Sequence, residues 1–150
     1  MSPLLKLGLL AQPPPRLLQR ARRRRVLVVG DGDFSYSAAL AGTLLADAAL
    51  ELVATCFDPD VIHTHPGAAK HIETLRALGA GVLIGVDATQ LAAALPEDVA
   101  TGFDRIVFNF PQAPEWRKIQ CHRKLLLQFF KSCRSVMVRH KRGRPPAQVW

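Results

Sequence analysis

Four groups of residues in this chain could do chemistry. The first is Gly30-Asp31-Gly32-Asp33-Phe34-Ser35. Two glycines one residue apart permit a tight turn and let a ligand approach the backbone. The third glycine of a dinucleotide fingerprint is missing, because Ser35 holds its place. The carboxylates of Asp31 and Asp33 would repel a pyrophosphate at a helix start. They suit a cationic ligand or one with an amino group. S-adenosylmethionine carries a sulfonium and an ammonium, so it fits this loop better than NAD. The competing reading is an ordinary strand-to-helix turn.

The second group is Asp58, placed where an acid commonly takes ribose hydroxyls, or else a turn residue before Pro59. The third is Asp87, which suits an adenine amino group or caps a helix from Thr89; the two roles can coexist. The fourth is Asn109-Phe110-Pro111. An amide on a Pro-stiffened loop can hold a flat N–H-bearing ring in line with an S–CH3 bond. Phe108 or Phe110 could stack on a base. The competing reading is a plain loop after a buried strand. His63, His65 and His71 are read as surface decoration and not as a metal site. Cys121 and His122 are neighbours in sequence, which is not the geometry of a nucleophile and its base.

These residues need elements to position them. Val26 to Val29 is a β-branched run of the kind buried on both faces of a parallel sheet. A helix is expected from Phe34 to about Ala46, capped by Ser35 or Asp33. Leu50 to Phe57 reads as a second strand, Ala68 to Leu78 as a helix stopped by Gly79, and Gly81 to Val86 as a third strand. Thr89 to Leu95 reads as a short helix, Asp104 to Phe108 as a fourth strand and Ile119 to Met137 as a last helix. Alternating strands and helices predict an open α/β sheet with right-handed crossovers. Such a sheet binds ligands at the carboxyl ends of its strands, and all four groups fall there.

The 150 residues suit one domain, and 49% apolar residues can supply its core. No apolar run reaches the ~20 residues of a membrane span. Three cysteines without a CxxC pair argue against a disulfide scaffold or zinc ribbon and for reduced thiols. The net charge of +8 is unevenly spread. Residues 1–25 hold seven Lys/Arg and residues 134–150 hold five, with no acid in either. The intervening 26–133 hold eight Lys/Arg and all twelve acids, a net charge of −4. A basic Pro/Arg-rich tail, a folded domain over 26–133 and a second basic tail are therefore expected. The tails are expected to contact phosphates. Residues 1–25 read as a solvated tail, as a nuclear or nucleolar address or RNA arm, or as a mitochondrial presequence. The run Arg22 to Arg25 is expected to repel itself on any compact surface.

The segments VLVVGDGDFSYSAALA, ATCFDP, LRALGA, VLIGVDATQL, FDRIVFNFP and HRKLLLQFFKSC follow one another in this order. Together they resemble the 25S ribosomal RNA (uridine-N3) methyltransferase-like domain. That domain also forms the amino-terminal part of ferredoxin-fold anticodon-binding domain-containing proteins. The likeness runs from about Arg25 to Cys133. It implies a Rossmann-like class I methyltransferase sheet that uses S-adenosylmethionine to methylate N3 of a uridine in large-subunit ribosomal RNA. By the same likeness, Gly30, Asp31, Gly32, Asp33 and Phe34 form the methionine-side loop. Asp58 and Asp87 serve the nucleoside side, and Asn109, Phe110 and Pro111 form the target-base loop.

The chain departs from the family pattern at Gln112 to Trp116 and at His122. After Cys133 the family continues into a further strand, whereas Arg139 to Pro146 cannot be a buried strand. The domain is thus expected to look truncated after its fourth strand and helix. Strand four would be an open edge, or be protected by a tail or a partner. Two rivals to the enzyme follow: a non-catalytic fragment that keeps the binding edge, and a small NAD-type oxidoreductase. A nuclear, nucleolar or cytoplasmic protein is expected, with the mitochondrion as the alternative.

Overall fold

The computed structural model describes residues 22–115, 117–139 and 148–150. Strands β1 (Arg24–Val29), β2 (Leu50–Thr55), β3 (Gly81–Leu83), β4 (Arg105–Phe108) and β5 (Gln148–Val149) form one sheet. Their order is β3-β2-β1-β4-β5, and every pairing is parallel. The helices are α1 (Ser35–Leu44), α2 (Val61–Thr64), α3 (Ala68–Ala77), α4 (Leu91–Ala94) and α5 (Ile119–Val136). A 3-10 turn over Ala88–Gln90 leads into α4. This is the expected α/β architecture, with a Rossmann-like strand order.

The period of two along each strand decides which core each residue joins. Val26, Val28, Leu52, Ala54 and Val107 face α1 and α3, where Phe34, Ala41, Ile72 and Leu75 meet them. Leu27, Val29, Val53 and Ile106 face the other way, onto Leu91, Phe129, Cys133 and Val136 of α4 and α5. A side chain such as Leu27 or Ile106, sealed from water, contributes ~1.5–3 kcal/mol by burial.

The boundaries moved in three informative places. First, β1 begins at Arg24, two residues before the apolar run. Of the four arginines expected to repel one another, three are each matched to a different acid. Arg22 pairs with Asp104 at 2.5 Å, Arg24 with Asp47 at 3.9 Å and Arg25 with Glu51 at 3.0 Å. Arg25 also lies 4.6 Å from the centre of the Phe103 ring. Strand alternation spreads these guanidinium groups, and acids from other elements neutralise them.

Second, α1 does not carry the expected side-chain cap at its first position. Phe34 occupies that position with φ +63, and the capping is done from within the loop described below.

Third, the C-terminal segment is not wholly a tail. Gln148 donates to the Asp104 carbonyl at 3.0 Å and Trp150 to the Ile106 carbonyl at 2.7 Å. The Arg105 guanidinium covers the Trp150 ring at 4.2 Å. The sheet therefore has a fifth strand, and β4 is covered by the chain itself. An open parallel edge is a template for any extended segment, and Gln148-Val149-Trp150 has no charged side chain to oppose pairing. The rest of the two expected tails, 1–21 and 140–147, lies outside the described residues, as does Trp116.

Cys56 and Cys133 are buried and Cys121 is half-exposed. Burial pushes the Cys133 thiol up to about 12 and also raises Cys56. A thiolate-specific reagent at neutral pH should therefore consume Cys121 first, and the other two only after denaturation. Ellman titration of the native and unfolded protein measures this. Equal reactivity of all three would mean the sheet core is open. The raised Cys133 value also favours the fold below pH ~9, a contribution lost as pH climbs towards 12.

Among the described residues, no helix is long and apolar enough to cross a membrane, and no group of three His, Cys, Asp or Glu side chains could hold a metal ion.

Candidate functional site

The strand order reverses direction between β1 and β4, since β2 and β3 lie on one side of β1 and β4 and β5 on the other. An open parallel sheet has its natural crevice at that point, because the loops leaving β1 and β4 part to opposite faces. A cleft of about 580 Å³ opens there. Gly30 from the end of β1, Asp87 and Thr89 from beyond β3, and Phe108 and Phe110 from the end of β4 line it. Phe57, Pro114 and Leu125 complete its apolar walls. This size lies within the ~300–1,000 Å³ common for small-ligand sites.

The loop after β1 is built by its own side chains. Gly30 takes φ +66, a conformation that L side chains rarely adopt. It also has no room for a Cβ: one would collide with the Phe108 ring and lie 3.1 Å from its Cδ2. Close approach of the two strand ends thus needs glycine here, which spacing alone could not reveal. The Asp31 carboxylate accepts from the Ser37 amide at 2.7 Å, and Asp33 accepts from the Ser35 amide at 3.0 Å. Hydrogen bonds from Ser35, first its hydroxyl and then its amide, hold the Asp33 carboxyl below the usual carboxylate range. The amides at the start of α1 are therefore occupied by the protein's own anions. A phosphate, which would need them, meets negative charge instead.

Phe34 is fully buried in the core below the loop, so it offers a ligand only backbone. Gly32 and Asp33 sit at the loop's outer turn. Of the methionine-side candidates, Gly30 alone is among the residues that line the cleft.

Asp58 is held by its own turn. Its carboxylate accepts from Thr64 Oγ1 and, at 2.8 Å, from the Asp60 amide, and the Thr64 contact holds it below its ordinary range. It does not line the cleft. Asp87 accepts from the Thr89 amide at 2.8 Å and the Thr89 hydroxyl at 2.7 Å, both through Oδ1. It thus caps the 3-10 turn and faces the cleft at the same time.

At the end of β4, Asn109 is half-buried, and its side chain has no hydrogen-bond partner among the described residues. Phe110 is 95% exposed at the cleft mouth with φ +50, a costly state for a bulky residue. Backbone strain beside an exposed aromatic is typical of a ligand-gripping loop. Pro111 follows at the half-buried base of the loop.

Two residues at the site were given no role there by the sequence. Phe57, 65% exposed, faces the cleft beside Phe110; an exposed phenylalanine directly after a buried strand was a signal available for it. His71, read as surface decoration, reaches the β1 loop: its Nδ1–H donates to the Asp33 carbonyl at 2.8 Å. No local pattern links residues 38 positions apart. His63 is exposed and bound to Asp60 in its own turn. Cys121 and His122 are adjacent on one helix.

A family model described as rRNA (uridine-N3-)-methyltransferase BTM5-like matches residues 27–144. The ferredoxin-fold anticodon-binding domain-containing protein 1 homolog of Mus musculus is 40% identical over 117 residues, covering 77% of this chain and 18% of its own length. The Homo sapiens ferredoxin-fold anticodon-binding domain-containing protein 1 is 41% identical over 115 residues, covering 76% and 18%. Heavy metal-associated isoprenylated plant protein 41 of Arabidopsis thaliana is 35% identical over 140 residues, covering 84% and 27%. The chain thus spans less than a fifth of the two mammalian relatives. No solved structure matches it significantly.

Proposed function

The chain belongs to the rRNA (uridine-N3-)-methyltransferase BTM5-like family, and on that premise we propose that its cleft binds S-adenosylmethionine and directs methyl transfer to N3 of a ribosomal-RNA uridine. One observation carries the cofactor choice. The helix amides that would hold a pyrophosphate are filled by Asp31 and Asp33, and those same carboxylates attract an ammonium or sulfonium. Asp87 at the cleft wall offers its second carboxylate oxygen, the one not bonded to Thr89, to an adenine amino group or a ribose hydroxyl. Asp58, occupied by Thr64 and Asp60, is the weaker candidate for the ribose. Phe57 and Phe110 give flat apolar faces for the rings.

S-adenosylmethionine supplies, when bound, an electrophilic methyl group on its sulfonium. The chain's own residues would orient the acceptor. Asn109 offers its side-chain amide to the uracil edge, Phe110 packs the ring and Pro111 stiffens the loop. The N3 proton goes to solvent. Asp33 is a poor base for it, because its carboxyl is held below the ordinary range. Exposed Arg123, Lys124, Lys131 and Arg134 on α5, a helix without an acid, favour an RNA partner. Nucleolar action, with the basic residues before Arg22 as address or RNA arm, belongs to the same proposal.

The rival reading is a module that binds cofactor and RNA without turnover. It rests on Asn109, Asp31 and Asp33, none of which is among the residues lining the cleft. Calorimetric titration with S-adenosylmethionine and with NAD tests the cofactor, and nucleoside mass spectrometry after incubation with ribosomal RNA tests the transfer. We expect binding of S-adenosylmethionine alone and formation of 3-methyluridine. Tight NAD binding without S-adenosylmethionine binding would overturn the proposal. Cofactor binding with no methylated nucleoside would leave the binding module.

A further inference from the structure

We propose that His71 is a positioning residue for the cofactor loop, its Nδ1–H clamping the Asp33 carbonyl so that Asp31 and Asp33 keep the arrangement the cofactor meets. This rests on the proposed cofactor reading. The loop runs between two residues with positive φ, Gly30 and Phe34. Its inner half is tied to β2, where the Asp31 amide donates to the Thr55 carbonyl at 3.1 Å. Its end is tied by the buried Phe34 ring. The outer turn at Gly32 and Asp33 is exposed or half-exposed, and its own side-chain bond runs only two residues onward, to Ser35. Among the described residues, the hydrogen bond from His71 is what ties this outer turn to another element.

The placement of His71 follows from the core. Its neighbour Ile72 is buried with Phe34, which sets the rotation of α3 and brings residue 71 over the loop. The imidazole packs on Gly67, where an added Cβ would come 3.3 Å from its Cε1. A carbonyl can only accept, so the bond requires the proton on Nδ1. The same nitrogen lies 3.9 Å from Asp33 Oδ2. The ring therefore holds the turn through its Nδ1–H and lies beside the Asp33 carboxylate.

The test compares His71→Leu with His71→Asn, whose amide N–H can take the place of Nδ1–H. One hydrogen bond is worth roughly 3- to 10-fold in affinity. We expect His71→Leu to weaken S-adenosylmethionine by about that factor, with His71→Asn restoring most of it. Amide hydrogen exchange of Ser35 and Ser37 in the cofactor-free protein is the second readout. It should quicken in His71→Leu and recover in His71→Asn. Equal affinity and exchange in wild type and His71→Leu would overturn the proposal. Equal loss in both variants would also overturn it, since packing of the ring would then matter and the bond would not. If wild type itself fails to bind S-adenosylmethionine, the cofactor reading falls, and the exchange data still decide whether the clamp exists.

Discussion

An Asp31→Asn protein should melt close to the parent and bind S-adenosylmethionine about 10- to 150-fold more weakly. The prediction separates two jobs that the same carboxylate performs. Its oxygen accepts from the Ser37 amide at 2.7 Å, and an asparagine carbonyl can accept the same bond. Its charge is what a sulfonium or ammonium would feel, and asparagine removes it. A charge-assisted contact is worth ~1.5–3 kcal/mol, which sets the range given. Asp31→Ala should lose affinity and also ~0.5–2 kcal/mol of stability, because the Ser37 amide is left without its acceptor. Calorimetry with thermal melts of both variants supplies the data. Normal cofactor affinity in Asp31→Asn, beside a destabilised Asp31→Ala, would make the loop a turn and nothing more.

Gly30→Ala should be the most damaging single methyl group in the domain. Two independent costs meet there. An L residue in the left-handed region costs ~1–2 kcal/mol. The new Cβ would also strike the Phe108 ring, and relieving such overpacking costs ~1–3 kcal/mol more. Phe108 cannot easily yield, since its ring stands edge-on to Phe129 with centroids 5.0 Å apart at 72°. Phe129 in turn is buried in the α5 core. The combined loss corresponds to a fall of roughly 8–20 °C in Tm for a domain of this size. Because Phe108 lines the cleft, ligand binding should fail even where the variant still folds. Gly32→Ala is the control, as a Cβ there meets nothing within 4 Å and its φ is not positive. Equal melting temperatures for the two variants would show that the β1 and β4 ends do not pack as described.

The residues that carry this site were visible in part for a simple reason. A strand buried on both faces writes an apolar run into the sequence, as Val26 to Val29 does, and its end is written by the polar or glycine residues that follow. Asp87 illustrates the gain: its place before Thr89 signalled both a cap and a site, and the structure has it capping the turn while lining the cleft. His71 illustrates the limit. Its role depends on α3 packing across α1, which no spacing within the helix expresses. Asp58 shows a third case, since a turn acid and a ligand acid look alike until Thr64 and Asp60 are seen to hold it.

By itself the sequence determined the order of strands and helices, the parallel sheet they must form and the edge where its polar turns gather. Those follow from local periodicity and from the right-handed crossover, which need only neighbouring residues to act. Tertiary structure alone decided the rest: the pairing of Arg22, Arg24 and Arg25 with three separate acids, β5 on the edge of β4, Phe34 turned under its loop and His71 over it. Each of these joins groups far apart in the chain. Their energies depend on distance and direction in space, and a one-dimensional pattern of residue types carries neither.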